Sequence, residues 1–253
     1  MLEICAIASG SNGNCYYIGN NTDAVLIDAG ISTKQILLRM AERELEPLKI
    51  KALFITHEHS DHMRGARVLA KRLQIPVYIT AKTFNSAYKS MRPFYTRFFT
   101  SDTEIEIGEF KVYPVLKKHD AAEPCSFRIN YGEHNIGVFT DIGEACDNVK
   151  DHINKCNGVF LESNYDEKML WNGTYPWYLK KRVASELGHL SNDQAFELLE
   201  QYAGENMKHV FLSHLSKENN TPEIALKKME PLTQKYEIKV APRYEASEVC
   251  RIS

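Results

Sequence analysis

The tightest constraint on this chain is six residues long: His57-Glu58-His59-Ser60-Asp61-His62 follows directly on the apolar run 52–56. A continuous apolar run of that length is the mark of a buried strand. Ala66, Leu69, Ala70 and Leu73 then repeat at helical spacing, so the cluster sits on a strand-loop-helix unit. Side chains alternate along an extended segment, so His57, His59 and Asp61 are expected on one side while His62 opens the next helix. Four ligand-type side chains in one loop exceed what a single tetrahedral ion with an open position takes from it. Two adjacent ions, roughly 3.5–4 Å apart as in binuclear hydrolases, fit better.

A two-metal site needs further ligands from elsewhere in the chain. His119 follows the strand-like run 110–116, Asp141 follows 135–140, and His214 follows 210–213. Each candidate sits at or just beyond a strand end, where loops converge on one edge of a sheet while the strands hold them rigid. The other histidines, His134 in a turn, His152 in a helix and His209 at a strand start, are assigned no role.

The remaining pattern supplies a frame for such an edge. Runs 2–8, 15–19 and 23–28 read as short strands between Gly/Asn turns, and Ser32 caps a helical pattern through Ile36, Leu37, Met40 and Ala41. Strands return over 105–140, after which helices alternate with single strands at 158–161 and 210–213. Ser191 and Thr221 are good N-caps. Two β-rich stretches flanked by helices predict an α/β (α+β) chain with two sheets face to face and helices outside. No linker or low-complexity segment interrupts it, so residues 1–253 are expected to form one domain.

Composition narrows the partners. A net charge of -2 advertises neither a nucleic-acid binder nor a membrane-surface protein, so any basic site is local. No apolar run approaches the ~20 residues a membrane span requires. No basic, signal-like leader opens the sequence. Six scattered cysteines without C-x-x-C read as reduced thiols, and a cytoplasmic location is expected.

Three stretches bear on substrate. In the loop 9–14, Gly10 and Gly13 allow a sharp turn presenting backbone N–H groups, while Ser9, Ser11 and Asn12 add polar side chains, as an anion cradle requires. His189 precedes Ser191 and Asn192, the start of a helix over 192–199, where a phosphate is welcome. Segments 82–100 and 168–182 interleave Lys and Arg with rings, including Tyr88, Trp171 and Trp177, in the manner of a single-strand groove.

The H-x-H-x-D-H motif, followed in order by His119, Asp141 and His214 and preceded by Asp28 in Leu26-Ile27-Asp28-Ala29-Gly30, resembles the metallo-β-lactamase superfamily over nearly the whole chain. The resemblance implies a four-layer αββα sandwich with a binuclear site. His57, His59 and His119 would hold one ion, Asp61, His62 and His214 the other, with Asp141 bridging and Asp28 orienting a ligand imidazole. The motifs at 9–15, 188–193 and 213–216, with Asn219-Asn220, resemble the WalJ/YycJ-like branch, whose members are described as 5′-to-3′ DNA exonucleases. That implies a metal-dependent phosphodiesterase acting on single-stranded DNA or 5′ ends, with two divalent ions (Zn, Mn or Fe). Asp61 and Asp141 would orient the attacking hydroxide, and His189 would stabilise the transition state or protonate the leaving oxygen. Ser9, Ser11, Asn12, Ser191 and Asn192 would face the substrate. The alternative is another hydrolase of this fold, acting on a small phosphodiester, RNA or a thioester. No membrane and no obligate protein partner are expected.

Overall fold

A computed structural model describes residues 1–101 and 103–252. The apolar runs become two seven-stranded sheets. The first contains β1 (Leu2–Ala8), β2 (Cys15–Gly19), β3 (Ala24–Ile27), β4 (Ile50–Phe54), β5 (Val77–Ile79) and β6 (Thr96–Phe98) in that order, with a last strand from the C-terminal end beside β1. The second is built in chain order from β7 (Ile105–Ile107), β8 (Phe110–Leu116), β9 (Cys125–Tyr131), β10 (His134–Phe139), β11 (Gly158–Glu162), β12 (His209–Ser213) and β13 (Glu237–Val240). The strand Cys250–Ile252, β14, returns the chain to the first sheet by pairing antiparallel to β1.

Each sheet is antiparallel at its start and parallel afterwards. β3, β4, β5 and β6 run parallel, as do β10, β11, β12 and β13. Strands buried on both faces, such as β3 and β11, carry nearly unbroken apolar sequence because both faces are covered. Between the sheets lies a core of Ile4, Tyr16, Phe54, Phe127, Ile129 and Phe160. Helices α1 (Thr33–Glu42), α2 (Ser60–Met63), α3 (Ala66–Leu73) and α4 (Ala81–Ser86) follow strands of the first sheet, and Ile36, Met40 and Leu69 pack on its outer face. Helices α5 (Asp147–Ile153), α6 (Glu167–Asn172), α7 (Trp177–Val183), α8 (Asn192–Tyr202) and α9 (Pro222–Met229) follow in the second half. Val149, Leu198 and Met229 from α5, α8 and α9 cover the outer face of the second sheet. The result is a helix-sheet-sheet-helix sandwich, the fold class expected.

Ser32, Ser191 and Thr221 cap their helices as expected, Ser191 within a reciprocal capping box with Gln194. Two local readings change. β4 ends at Phe54, two residues short of Thr56, and His134 opens β10 instead of occupying the turn. The six cysteines are all free thiols. No helix of the described residues is long and apolar enough to cross a membrane.

Candidate metal centre

The parallel strands of both sheets deliver polar residues to one edge. Asp28 follows β3, His57 lies just beyond β4, Asp141 follows β10, Glu162 ends β11 and His214 follows β12. Ligand sites gather at the carboxyl ends of parallel strands for the same topological reason. Asp28, Asp141 and His214 have φ of 62°, 54° and 55°, so three strands end on a left-handed residue that turns the chain out of the sheet.

The His57–His62 cluster splits in two. The extended segment stops at His59, which is the N-cap of α2, so Asp61 lies on a helical turn and leaves the side shared by His57 and His59. The donor atoms of His57, His59 and His119 then form one group and those of Asp61, His62 and His214 another, each within 4.8 Å of one another. Asp141 stands between them: its carboxylate oxygens lie 3.1 Å from His62 Nε2, 3.5 Å from His214 Nε2 and 3.9 Å from His119 Nε2.

Four of these imidazoles are anchored through Nδ1. His62 Nδ1 meets Asp28 Oδ2 at 2.7 Å, His57 Nδ1 meets Thr56 Oγ1 at 2.9 Å, His119 Nδ1 donates to Gly188 O at 3.0 Å, and His214 Nδ1 meets Glu162 Oε1 at 2.9 Å. Asp28 also accepts from the Thr56 N–H and hydroxyl, so one buried carboxylate fixes two neighbours. The opposite nitrogens, Nε2 of His57, His119 and His214, are buried with no hydrogen-bond partner among the described residues. Orphaned buried nitrogens are costly unless something outside the chain satisfies them. Imidazoles tethered at one nitrogen and aimed with the other are how proteins present metal ligands, and this donor set fits divalent ions.

Glu162 is the site residue that sequence reasoning missed. It is fully buried, with Oε1 shared by His189 Nδ1 (2.8 Å) and His214 Nδ1, and Oε2 accepting from the N–H groups of Ile142 and Leu190. All its acceptor capacity is spent on orienting neighbours. Its signal was available: it stands at the end of an apolar strand, as the other site residues do. Burial alone would raise its carboxyl, yet His189 and His214 hold it down to about 2. Burial likewise works against charge on His214, but Asp141, Asp61 and Glu162 push its pKa up to about 10. Burial, reinforced by His62, holds His57 well below the usual imidazole range.

The residues expected to face substrate divide. Ser9 is buried, its hydroxyl accepting from the His214 N–H at 2.8 Å, and Ser191 is buried as the cap of α8. Asn192 is also buried, bonded to Ser163 and Asn220. All three hold the scaffold instead. Ser11 and Asn12 remain at the surface but accept from Arg243, while the Gly10 and Gly13 N–H groups are spent within the loop. His189 keeps its position, partly exposed beside the cluster.

Of the basic aromatic segments, Lys180 is buried with Nζ donating to Trp171 O at 2.8 Å, so it packs and does not contact solvent. Many of the rings, by contrast, are outside: Tyr88, Trp177 and Tyr178 are 73%, 62% and 74% exposed. A cleft of about 480 Å³ over His59 and Asp61 is lined by Tyr88 from one segment and Arg182 from the other. Arg182 pairs there with Asp120 at 2.5 Å.

Residues 8–154 match the metallo-beta-lactamase superfamily. The chain is 35% identical over 227 residues to the exodeoxyribonuclease YycJ of Bacillus anthracis, covering 88% of this chain and 86% of that one. It is 35% identical over 226 residues to the exodeoxyribonuclease WalJ of Streptococcus pneumoniae serotype 2 (strain D39 / NCTC 7466), covering 87% and 83%. Among solved structures it resembles the metallo-beta-lactamase fold protein YhfI from Bacillus subtilis, with a TM-score of 0.75 at 16% identity over 98% of this chain and 100% of that one.

Proposed function

The chain belongs to the metallo-beta-lactamase superfamily, and on that footing we propose that it is a metal-dependent exodeoxyribonuclease acting 5′-to-3′ on single-stranded DNA or 5′ ends. The observation that carries this reading is the set of tethered imidazoles with unpartnered Nε2 atoms, with a cleft over the neighbouring His59 and Asp61 that both basic aromatic segments reach. His57, His59 and His119 would hold one divalent ion, Asp61, His62 and His214 the second, with Asp141 shared. Nitrogen and oxygen donors of this kind suit Zn, Mn or Fe. When bound, such ions lower the pKa of water and neutralise phosphate oxygens.

The chain's own groups do the rest. Asp61 and Asp141 orient the attacking water by accepting its hydrogen bonds. His189 Nδ1–H donates to Glu162, so Nε2 is the nitrogen left to hold a proton for the leaving oxygen. Tyr88 and Arg182 at the cleft give a base a ring to stack on and a phosphate a cation to meet, and exposed Trp177 of the second segment offers a further ring. The test is metal-loaded protein against 5′-labelled DNA and RNA, a thioester and a β-lactam. DNA shortened from its 5′ end is expected, whereas thioester turnover with intact DNA would refute the proposal.

A further inference from the structure

A second cavity is bordered by Ser9 of the loop 9–14 and by Leu215, the residue after His214. It measures about 590 Å³, within the range of about 300–1,000 Å³ usual for small-molecule sites. Leu215, Val240, Pro242 and Tyr244 give it apolar walls, and Tyr244 is 67% exposed. Ser9 also lines it, the same residue whose hydroxyl accepts from the His214 N–H, so a single side chain separates cavity from candidate ligand.

Its charge comes from Arg243. The guanidinium lies against Gly10, whose φ of +131° favours glycine and where a Cβ would come within 2.8 Å of Cζ. Nη1 donates to Ser11 Oγ at 3.3 Å and Asn12 Oδ1 at 2.6 Å, and Nη2 donates to Leu215 O. All these acceptors are neutral, and no carboxylate of the described residues pairs with Arg243, although Glu245 lines the same cavity. Nε has no partner among the described residues. Together with the adjacent Nη2 it forms the edge that matches a phosphate bidentately. Exposed Lys217 adds a second cation to the wall.

We infer that this cavity takes the terminal nucleotide of the strand, its base against Tyr244 and Pro242 and its phosphate on Arg243. This deepens the nuclease reading and rests on it. The loop read in sequence as an anion cradle acts one step removed: it seats the guanidinium that binds the anion.

The test compares the affinities of metal-loaded protein for deoxyadenosine monophosphate and for inorganic phosphate by calorimetry. Either ligand brings a phosphate to Arg243, but only the nucleotide lays a base against Tyr244 and Pro242, so wild type is expected to prefer it roughly tenfold or more. Tyr244→Ala, an exposed position, should bring that ratio towards unity, whereas Arg243→Lys, which keeps the charge but loses the fork, should weaken both ligands together. Equal affinities in wild type, or an undiminished ratio in Tyr244→Ala, would overturn the inference. A wild type that discriminates but leaves DNA intact would instead sink the nuclease reading alone.

Discussion

Gly30→Ala puts the assembly of the site to its sharpest test, because the perturbation is one methyl group placed between two backbones. A Cβ at Gly30 would lie 1.6 Å from the Asp61 carbonyl oxygen and 2.6 Å from the Asn14 nitrogen. Ordinary contact begins at 3.4 Å, so α2 must retreat by about 1.8 Å. That helix is clasped by Asn14 N–H to Asp61 O and Ala29 N–H to His62 O, both 2.8 Å. Losing two buried bonds at about 1–3 kcal/mol each costs about 2–6 kcal/mol. For a chain of this size the cost corresponds to a melting temperature lowered by roughly 5–20 °C. Thermal unfolding in chelator measures that cost without the metals. Metal content, measured separately, should fall below about two ions, because Asp61 and His62 move with α2, which His59 caps, while His57 and His119 lie outside that helix. Unchanged melting and full metal content would refute the reasoning, since the clash would then have been relieved without moving α2.

Three further outcomes follow from the same geometry. His214→Ala should lose metal, whereas His189→Ala should keep metal and fold while kcat falls by about 10²–10⁴; metal stoichiometry measured beside kcat decides between them. Burial opposes a raised pKa in His62 and His214, but Asp141 with its fellow carboxylates prevails, so chelator-treated protein carries stability that is complete below pH 6.5 and lost at higher pH, the His214 share of it as pH rises through about 10. Its urea midpoint should therefore decline from pH 6.5 upward, ahead of the further loss that begins once thiols of the unfolded chain ionise near about 8.5, and a flat profile would contradict the assigned contacts. Lys181 and Arg182 changed to Ala should weaken binding of long single strands and flatten its salt dependence, while Lys180→Ala, which removes an interior bond to Trp171, should lower the melting temperature; the reverse pattern in salt titrations would count against the groove.

What could be read in the sequence was whatever repeats locally. Apolar runs gave the strands, and the recurrence of His or Asp just past their ends gave the edge, because both signals live within a few residues. What escaped depends on where the chain turns or on distant partners. Alternation placed Asp61 with His57 and His59, but α2 begins at Ser60 and rotates Asp61 toward His62 and His214. Glu162 obeys the strand-end rule, yet a glutamate becomes legible as a buried anchor only once His189 and His214 are known to converge on it. Arg243 stands 231 positions from Asn12, and nothing near either residue announces the other.

The left-handed turns explain why so many polar residues surround the ligands without being ligands. A non-glycine residue at positive φ costs on the order of 1–2 kcal/mol, and it persists only where its surroundings over-determine it. Asp28 is held through both carboxylate oxygens by Thr56 and His62. His214 is held through its N–H by Ser9 and through its carbonyl by Asn164 Nδ2 at 2.7 Å. Asp141 is preceded by Thr140, whose carbonyl accepts from buried Lys117 Nζ at 2.6 Å. Each clamp comes from a different strand or loop than the residue it holds, and the one from Ser9 to His214 joins the first sheet to the second, so both sheets must be in place before that turn is stable. A hydroxyl such as that of Ser9 therefore matters to the chemistry without touching it. Without the hydroxyl, the His214 N–H would be buried and unpaired, and the strain at His214 would be free to relax by moving the imidazole.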